Sequence, residues 1–451
     1  MKERAEFATK IGVIAATVGS TVGLGNIWRF PYEAGSHGGG AFIIIYIACV
    51  LLVGIPVMLS EFVIGRSTHR NSRGALKELL PNGKWHWISY LGIVASMMIL
   101  SFYSVVAGWT IEYLYISIAG GLSHHSMAEY SAMFSAVSES PWRSLFWTLL
   151  FLVFNFAIIL RGVQKGIEKI SNVMMPLLFI ILIVFCVNSL LLPEASKGIK
   201  FLFNPDFSSI TPTVVIDAMG QAFFSLSLGL GCLLTYASYY SNDTPLVRSA
   251  TVISLLDTAV AILASIVIFP AVFSFGMQPE AGPKLVFQVL PDIFQRMQGG
   301  YFWSIAFFIL LFFAAITSTI SMSETAITFF IEEYNMSRRK ATAINAIVAI
   351  AFGSVCALSF GVMKDFTIFG MTVFDLFNYV SSNILLPIGG MFFAIIVGWL
   401  INKKIVNDEF TNNGTRHITM ARPIIFCIRY ISPIAIALIF LYGLGFFNFI
   451  K

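Results

Sequence analysis

Glycines, hydroxyl residues, an asparagine and an arginine gathered inside apolar runs are the places where this sequence could do chemistry. The first such stretch reads Gly19-Ser20-Thr21-Val22-Gly23-Leu24-Gly25-Asn26-Ile27-Trp28-Arg29-Phe30-Pro31. Each glycine weakens a helix by about 1 kcal/mol, and an arginine at bilayer depth costs a few kcal/mol or more. Glycines alone would make a close-packed seam between helices. With Asn26 and Arg29 among them, the stretch reads as backbone unwound around a polar cavity. A second stretch, Phe224-Ser225-Leu226-Ser227-Leu228-Gly229-Leu230-Gly231, repeats the pattern between Gln221 and Thr235-Tyr236-Ala237-Ser238-Tyr239. A third, Ala314-Ala315-Ile316-Thr317-Ser318-Thr319, spaces hydroxyls along a run. Most such hydroxyls bond back to the preceding turn. Beside freed carbonyls they could instead complete an oxygen-only shell, which suits a hard cation.

Carboxylates inside apolar runs are functional candidates by default, and Glu61, Asp257, Glu324 and Asp375 qualify. Asp217 and Glu112 suit helix ends at an interface. Asp257 is the hardest to dismiss, because apolar sequence lies on both sides of it. The five cysteines are scattered singly and the six histidines show no metal spacing, so neither disulfides nor a zinc site is indicated. His124 and His125 read as solvated loop residues. No GxxxxGK[ST] motif offers ATP as an energy source, and no nucleophile–base pair points to an enzyme.

These residues must be positioned by membrane helices. Of 451 residues, 57% are apolar and 11% charged, against about a quarter charged in soluble domains. That balance argues against a soluble enzyme, a nucleic-acid binder and a disordered scaffold. About 20 apolar residues span a bilayer. Eleven runs of that order lie near 11–35, 41–65, 87–118, 143–160, 166–192, 212–240, 248–276, 301–331, 339–360, 371–401 and 423–449. They are continuous rather than alternating, which excludes barrel strands. Most of the 28 basic residues fall in the N-terminal tail and in every second connection, among them Lys10, Arg66, Arg70, Lys165, Arg248, Arg338, Lys403 and Arg422. Basic residues favour the cytoplasm, so the N-terminus is expected inside and Lys451 outside. The net charge of +5 is then topological. The first run lacks the cleavage pattern of a signal peptide.

Backbone that leaves a helix at bilayer depth must face protein or water. Two interrupted helices, each first in a five-helix half, point to an inverted-repeat transporter. The segment GLGNIWRFP, the following Gly38-Gly39-Gly40-Ala41-Phe42 and the GIP stretch leading to Glu61 resemble the neurotransmitter:sodium symporter family, in particular its bacterial amino-acid transporters of the leucine-transporter type. The likeness covers nearly the whole chain. It implies an all-α polytopic membrane protein with the LeuT-like fold. The first inverted repeat would span 10–192, the second 212–401 and a trailing helix 423–451, with helices 1 and 6 unwound at mid-membrane.

The resemblance also implies roles. One sodium ion would meet Asn26, the Thr21 carbonyl, Ser225, Asp257 and the substrate carboxylate. The other would meet the carbonyls of Gly19, Val22 and Ala314 and the hydroxyls of Thr317 and Ser318. A substrate carboxylate would face the N–H groups near Leu24 and Gly25 and the hydroxyl of Tyr103, and its amino group the carbonyls of Thr21, Phe224 and Ser227. Ile99, Phe224, Ser227, Leu230, Ser318 and Met322 would line the side-chain pocket. Monoamine-carrying relatives have an aspartate at the position of Gly23, so glycine favours a substrate that brings its own carboxylate, an α-amino acid. The apolar pocket favours a hydrophobic or aromatic one. Chloride-dependent relatives have a neutral asparagine at the position of Asp257. A fixed carboxylate there, with Tyr46 and Gln221 around it, implies chloride independence.

Arg29 and Asp375 would form an outer gate with Tyr103 and Phe224 as a lid. Arg4 and Glu332 would form an inner gate beside Phe7 and Tyr239, with glutamate standing where aspartate is usual. Gly166 and Pro176 match a spacing that bacterial relatives unwind to admit water, and equally a plain helix entrance with an internal proline. The expected activity is sodium-coupled amino-acid import by alternating access, with no organic cofactor and no nucleic-acid partner. A proton-coupled or exchange carrier of the same fold stays open as an alternative, as do a channel and an amino-acid sensor.

Overall fold

The computed structural model describes residues 6–123, 125–276, 284–416 and 420–446. Among these every regular element is helical, apart from one isolated bridge between Ile368 and Met371. Among the described residues nine helices are long and apolar enough to cross a membrane, and Lys10–Thr21 with Gly25–Ser36, bent by 59°, counts as a tenth. The remaining expected crossing is the sixth. It consists of Pro212–Ser225 and Cys232–Ala237, separated by six residues that leave the helix. Counting it as one interrupted crossing accounts for all eleven runs.

The unbroken spans are Gly40–Thr68, Trp85–Ile118, Pro141–Ile159, Val163–Leu190, Leu246–Ser274, Gly300–Glu333, Arg338–Leu358, Val373–Leu400 and Ala421–Gly443. Their ends fall within a few residues of the expected runs because local chemistry sets them. Pro141 and Pro212 occupy first helical turns, where a missing N–H costs nothing. Thr9 and Thr372 cap their helices with side-chain oxygens, satisfying donors no carbonyl can reach. Five extramembrane helical segments were not anticipated: Ser72–Leu79, Met127–Ser138, Ala195–Phe203, Leu285–Arg296 and Lys403–Thr411.

Polar contacts tie the end of the bundle that carries the basic connections. Glu168, at the entrance of the fifth span, accepts hydrogen bonds from Ala8 N (2.8 Å), Thr9 N (3.1 Å) and Thr9 Oγ1 (2.9 Å), latching the start of the first span. Gly12 makes room, since a Cβ there would lie 2.0 Å from the Glu168 carboxylate. The buried Arg66 of the second span donates to Glu409, to the Glu409 carbonyl (2.6 Å), to Asn412 (3.2 Å) and to the Thr244 carbonyl. It joins the helix after the tenth span to the connection between the sixth and seventh. The fifth span is helical from Val163 through Pro176 to Leu190. Of the two readings of Gly166 and Pro176, the wound helix with an internal proline is the one present.

Candidate functional site

The first span stops where Val22 turns extended, and helix resumes at Gly25. The stop frees carbonyls. Ser318 Oγ, from the middle of the eighth span, lies 3.0 Å from Val22 O and 3.4 Å from Gly19 O. Thr317 Oγ1, one residue earlier, lies 3.3 Å from Ala314 O and 2.8 Å from Phe313 O. A Cβ on Gly19 would meet the Thr317 side chain at 3.0 Å, so the two helices close directly on each other here. The two stretches that the sequence could not show to meet do meet. Their donors are oxygens only, as a hard cation requires.

A second cluster lies across the same break. Asn26 Nδ2 donates to Ser225 Oγ (2.8 Å), Asp257 Oδ1 (3.0 Å) and the Asp257 carbonyl (3.2 Å). Ser225 Oγ donates in turn to Asp257 Oδ2 at 2.7 Å, while Asn26 Oδ1 accepts from Gly23 N at 3.0 Å. The first, sixth and seventh spans thus share one buried carboxylate. Tyr46 and Gln221, expected around Asp257, are buried with side-chain polar atoms that lack hydrogen-bond partners, as is Thr258 Oγ1.

The break in the sixth span is shaped by positive φ angles at Ser227 (53°), Gly229 (85°) and Gly231 (74°). Its freed N–H groups at Gly229 and Leu234 donate to Glu61 at 2.8 and 3.2 Å. Glu61 is therefore a cradle for unwound backbone, a role its position in an apolar run did not disclose. Ser227 Oγ donates to the Ser20 carbonyl at 3.2 Å, linking the two breaks.

Between the breaks lies a small cavity of about 30 Å³. The expected Thr21, Gly25, Ile99, Tyr103, Phe224, Ser225, Ser227, Leu230, Ser318 and Met322 all border it, together with Gly23, Asn26 and the unanticipated Leu386 of the tenth span. Leu24 lies outside this cavity. Its N–H donates to the Tyr103 hydroxyl at 2.8 Å, and the residue lines a larger chamber of about 310 Å³, the expected outer one. Tyr103, Phe224 and Gly25 border both chambers, so a single layer of side chains separates them. A Cβ on Gly23 would come within 2.7 Å of the Tyr103 hydroxyl and 2.9 Å of Ser318 Oγ. Only glycine leaves that corner to a ligand.

The expected outer ion pair is not formed. Arg29 Nε lies 3.7 Å from Glu33, one turn further along its own helix, and the guanidinium stands 4.5 Å over the Phe224 ring. Asp375 is exposed and closes the cap of its own helix, accepting from Thr372 Oγ1 at 2.7 Å. An i,i+4 partner is always within reach, whereas a partner across a chamber is met only when its walls approach. Glu33 continues into a chain that sequence reasoning missed: His37 lies 3.5 Å from Glu33 and 3.3 Å from Asp217, joining the first span to the sixth.

At the opposite end Arg4 lies outside the described residues. Glu332 accepts from Asn71 N and Nδ2, both at 2.8 Å. Phe7 packs edge-on against Tyr236 and Tyr239 at 5.8 and 5.9 Å, and its N–H donates to the Tyr239 carbonyl at 3.0 Å. The Tyr239 hydroxyl donates to Glu324 at 2.7 Å, and Arg338 donates to both Glu324 oxygens at 3.0 and 2.5 Å. This buried acid is held by a partner from the ninth span. The partner's place in a basic connection gave no sign of it.

Comparison with known proteins agrees with this geometry. The sodium:neurotransmitter symporter family model matches residues 4–137 and 140–449. The chain is 38% identical over 444 residues to the sodium-dependent transporter YhdH of Bacillus subtilis (strain 168), covering 98% of each. It is 36% identical to a sodium-dependent transporter of Haemophilus influenzae, covering 98% of this chain and 99% of that one. The crystal structure of MhsT in complex with L-phenylalanine superposes with a TM-score of 0.90 at 40% identity, covering 98% of this chain and all of that one. With oxygen clusters beside two broken helices and matches of this extent, the chain belongs to the sodium:neurotransmitter symporter family and has its LeuT-like fold.

Proposed function

We propose that this symporter carries an L-α-amino acid with a hydrophobic or aromatic side chain inward with two sodium ions and without chloride. The observation that carries the reading is the placement of two oxygen clusters, Gly19–Val22–Ser318 and Asn26–Ser225–Asp257, against one apolar cavity. Gly23 supports a substrate that brings its own carboxylate, which would meet Gly25 N–H and the Tyr103 hydroxyl. Ile99, Leu230 and Met322 give it apolar walls, and the MhsT neighbour was solved with L-phenylalanine. Asn26 now turns its amide donors toward Asp257; on sodium binding it would present Oδ1 to the ion. The Asp257 carboxylate supplies the negative charge for which chloride would otherwise be needed.

Residues 10–192 and 212–401 would serve as the two repeats, and the basic connections support an N-terminus in the cytoplasm and a place in the plasma membrane. Arg29 and Asp375 would meet when the outer chamber narrows. Two sodium ions moving down 100 mV and a tenfold gradient release about 7 kcal/mol, enough to concentrate a zwitterion by roughly five decades. Uptake of each radiolabelled amino acid into proteoliposomes tests the reading. Uptake should need sodium, fail in choline and be unchanged when gluconate replaces chloride. Uptake driven by a pH gradient without sodium would replace this reading with a proton-coupled carrier.

A further inference from the structure

Where the tenth and eleventh spans meet at the basic end, two widened helical turns face each other, Ile396–Leu400 and Cys427–Ile431. Gly398 lies in one and Arg429 in the other. A Cβ on Gly398 would sit 3.0 Å from Arg429 Cγ, so glycine lets the arginine stem lie across the neighbouring helix. Arg429 Nε donates to the Gly398 carbonyl at 2.7 Å, and its guanidinium stands 5.9 Å from the Trp399 ring centre. Trp399 Nε1 donates back to the Arg429 carbonyl at 3.1 Å. The guanidinium is thus held in place while most of its N–H groups stay unused.

Arg429 and Lys403 both line a cavity of about 280 Å³ with apolar walls of Val397, Val406, Ile425 and Ile428. Among the described residues neither cation has an acid within ion-pair distance. Trp399, Tyr430 and Phe426 are exposed beside it, with Trp399 and Tyr430 edge to face at 5.4 Å. Exposed aromatic rings of this kind mark the headgroup level of a membrane. An apolar cavity with two unneutralised cations at that level matches a ligand with a phosphate at one end and hydrocarbon at the other.

We propose that this cavity binds an anionic phospholipid, with its phosphate between Lys403 and Arg429 and its acyl chains along Ile425 and Ile428. The proposal rests on the membrane orientation given above for the basic end, and its test does not depend on which amino acid is carried. Lipid bound there would pin the Lys403–Thr411 helix, whose other end is held to the second span through Glu409 and Arg66. A solvated pair of interfacial cations is the competing account.

Native mass spectrometry of the full-length protein, released from nanodiscs of phosphatidylcholine with a minor share of phosphatidylglycerol, separates the two. Phosphatidylglycerol should be retained over phosphatidylcholine by about tenfold. The double variant K403Q/R429Q should lose that preference, while Lys404→Gln, on the same helix but outside the cavity, should keep it. Lys403 is exposed, so Lys403→Gln alone keeps the test decisive if the double variant does not fold; it should weaken the preference several-fold. Equal retention of both lipids, or a preference that survives the Lys403 and Arg429 changes, overturns the proposal. Displacement of the lipid by inorganic phosphate would assign the site to a soluble anion instead. A loss of lipid preference without loss of sodium-driven uptake leaves the transport reading intact.

Discussion

Asn26→Ala should raise the sodium concentration for half-maximal uptake by about thirtyfold, the equivalent of about 2 kcal/mol. Two losses combine in that figure. The side chain that would offer an oxygen to the ion is gone, and Asp257 loses the Asn26 amide while keeping Ser225. Leaving a buried polar group short of a hydrogen bond typically costs about 1–3 kcal/mol, so the sodium-free protein should also melt at lower temperature. Sodium titrations of uptake and of thermal stability read the two losses separately. Ser318→Ala should act in the same direction more weakly, because Gly19 and Val22 retain their carbonyls. If both variants keep the wild-type sodium curve, neither cluster is an ion site.

Gly229→Ala should abolish uptake and destabilise the folded protein by about 2–5 kcal/mol. At φ of 85° any side chain is strained, and a Cβ there would lie 2.1 Å from the Leu386 carbonyl and 2.8 Å from Gly390 N. Both are backbone atoms of the tenth span, so relief requires a helix to move. If the break in the sixth span shifts instead, Gly229 N–H is pulled from Glu61, leaving a buried carboxylate under-satisfied. Gly220→Ala, with nothing within 4 Å of its Cβ, is the control and should be neutral. Thermal unfolding in detergent and uptake by the same preparations decide it: a Gly229→Ala protein with wild-type stability would refute the close packing described.

Much of this was legible because the sequence breaks its own rules at the site. Glycine, asparagine and serine in apolar runs marked the interrupted helices, and Gly23, Gly25, Asn26, Ser225 and Ser227 among them do border the central cavity. Geometry between distant elements was less legible. Glu61 read as a buried acid, but its partners are main-chain N–H groups, which no side-chain pattern announces. Arg29 carried a charge that had to be paired, yet the choice between Glu33 and Asp375 depends on how far apart two walls stand. Glu168 and Arg338 sit in basic connections where topology alone explains their neighbours, so their buried contacts left no trace. The short extramembrane helices were overlooked for another reason: none is long enough to stand out from the hydropathy of a loop.

The layer between the chambers, formed by Tyr103 and Phe224, has a consequence for time. A ring turns on its own side-chain bonds, a faster class of motion than rearrangement of backbone. The other end is closed by Phe7 against tyrosines and by Glu168 holding two backbone N–H groups, contacts that part only when a helix segment moves. Such collective motions take microseconds to milliseconds or longer. The two closures of the cavity therefore differ in kind: one is made of side chains that rotate, the other of helix segments that must part.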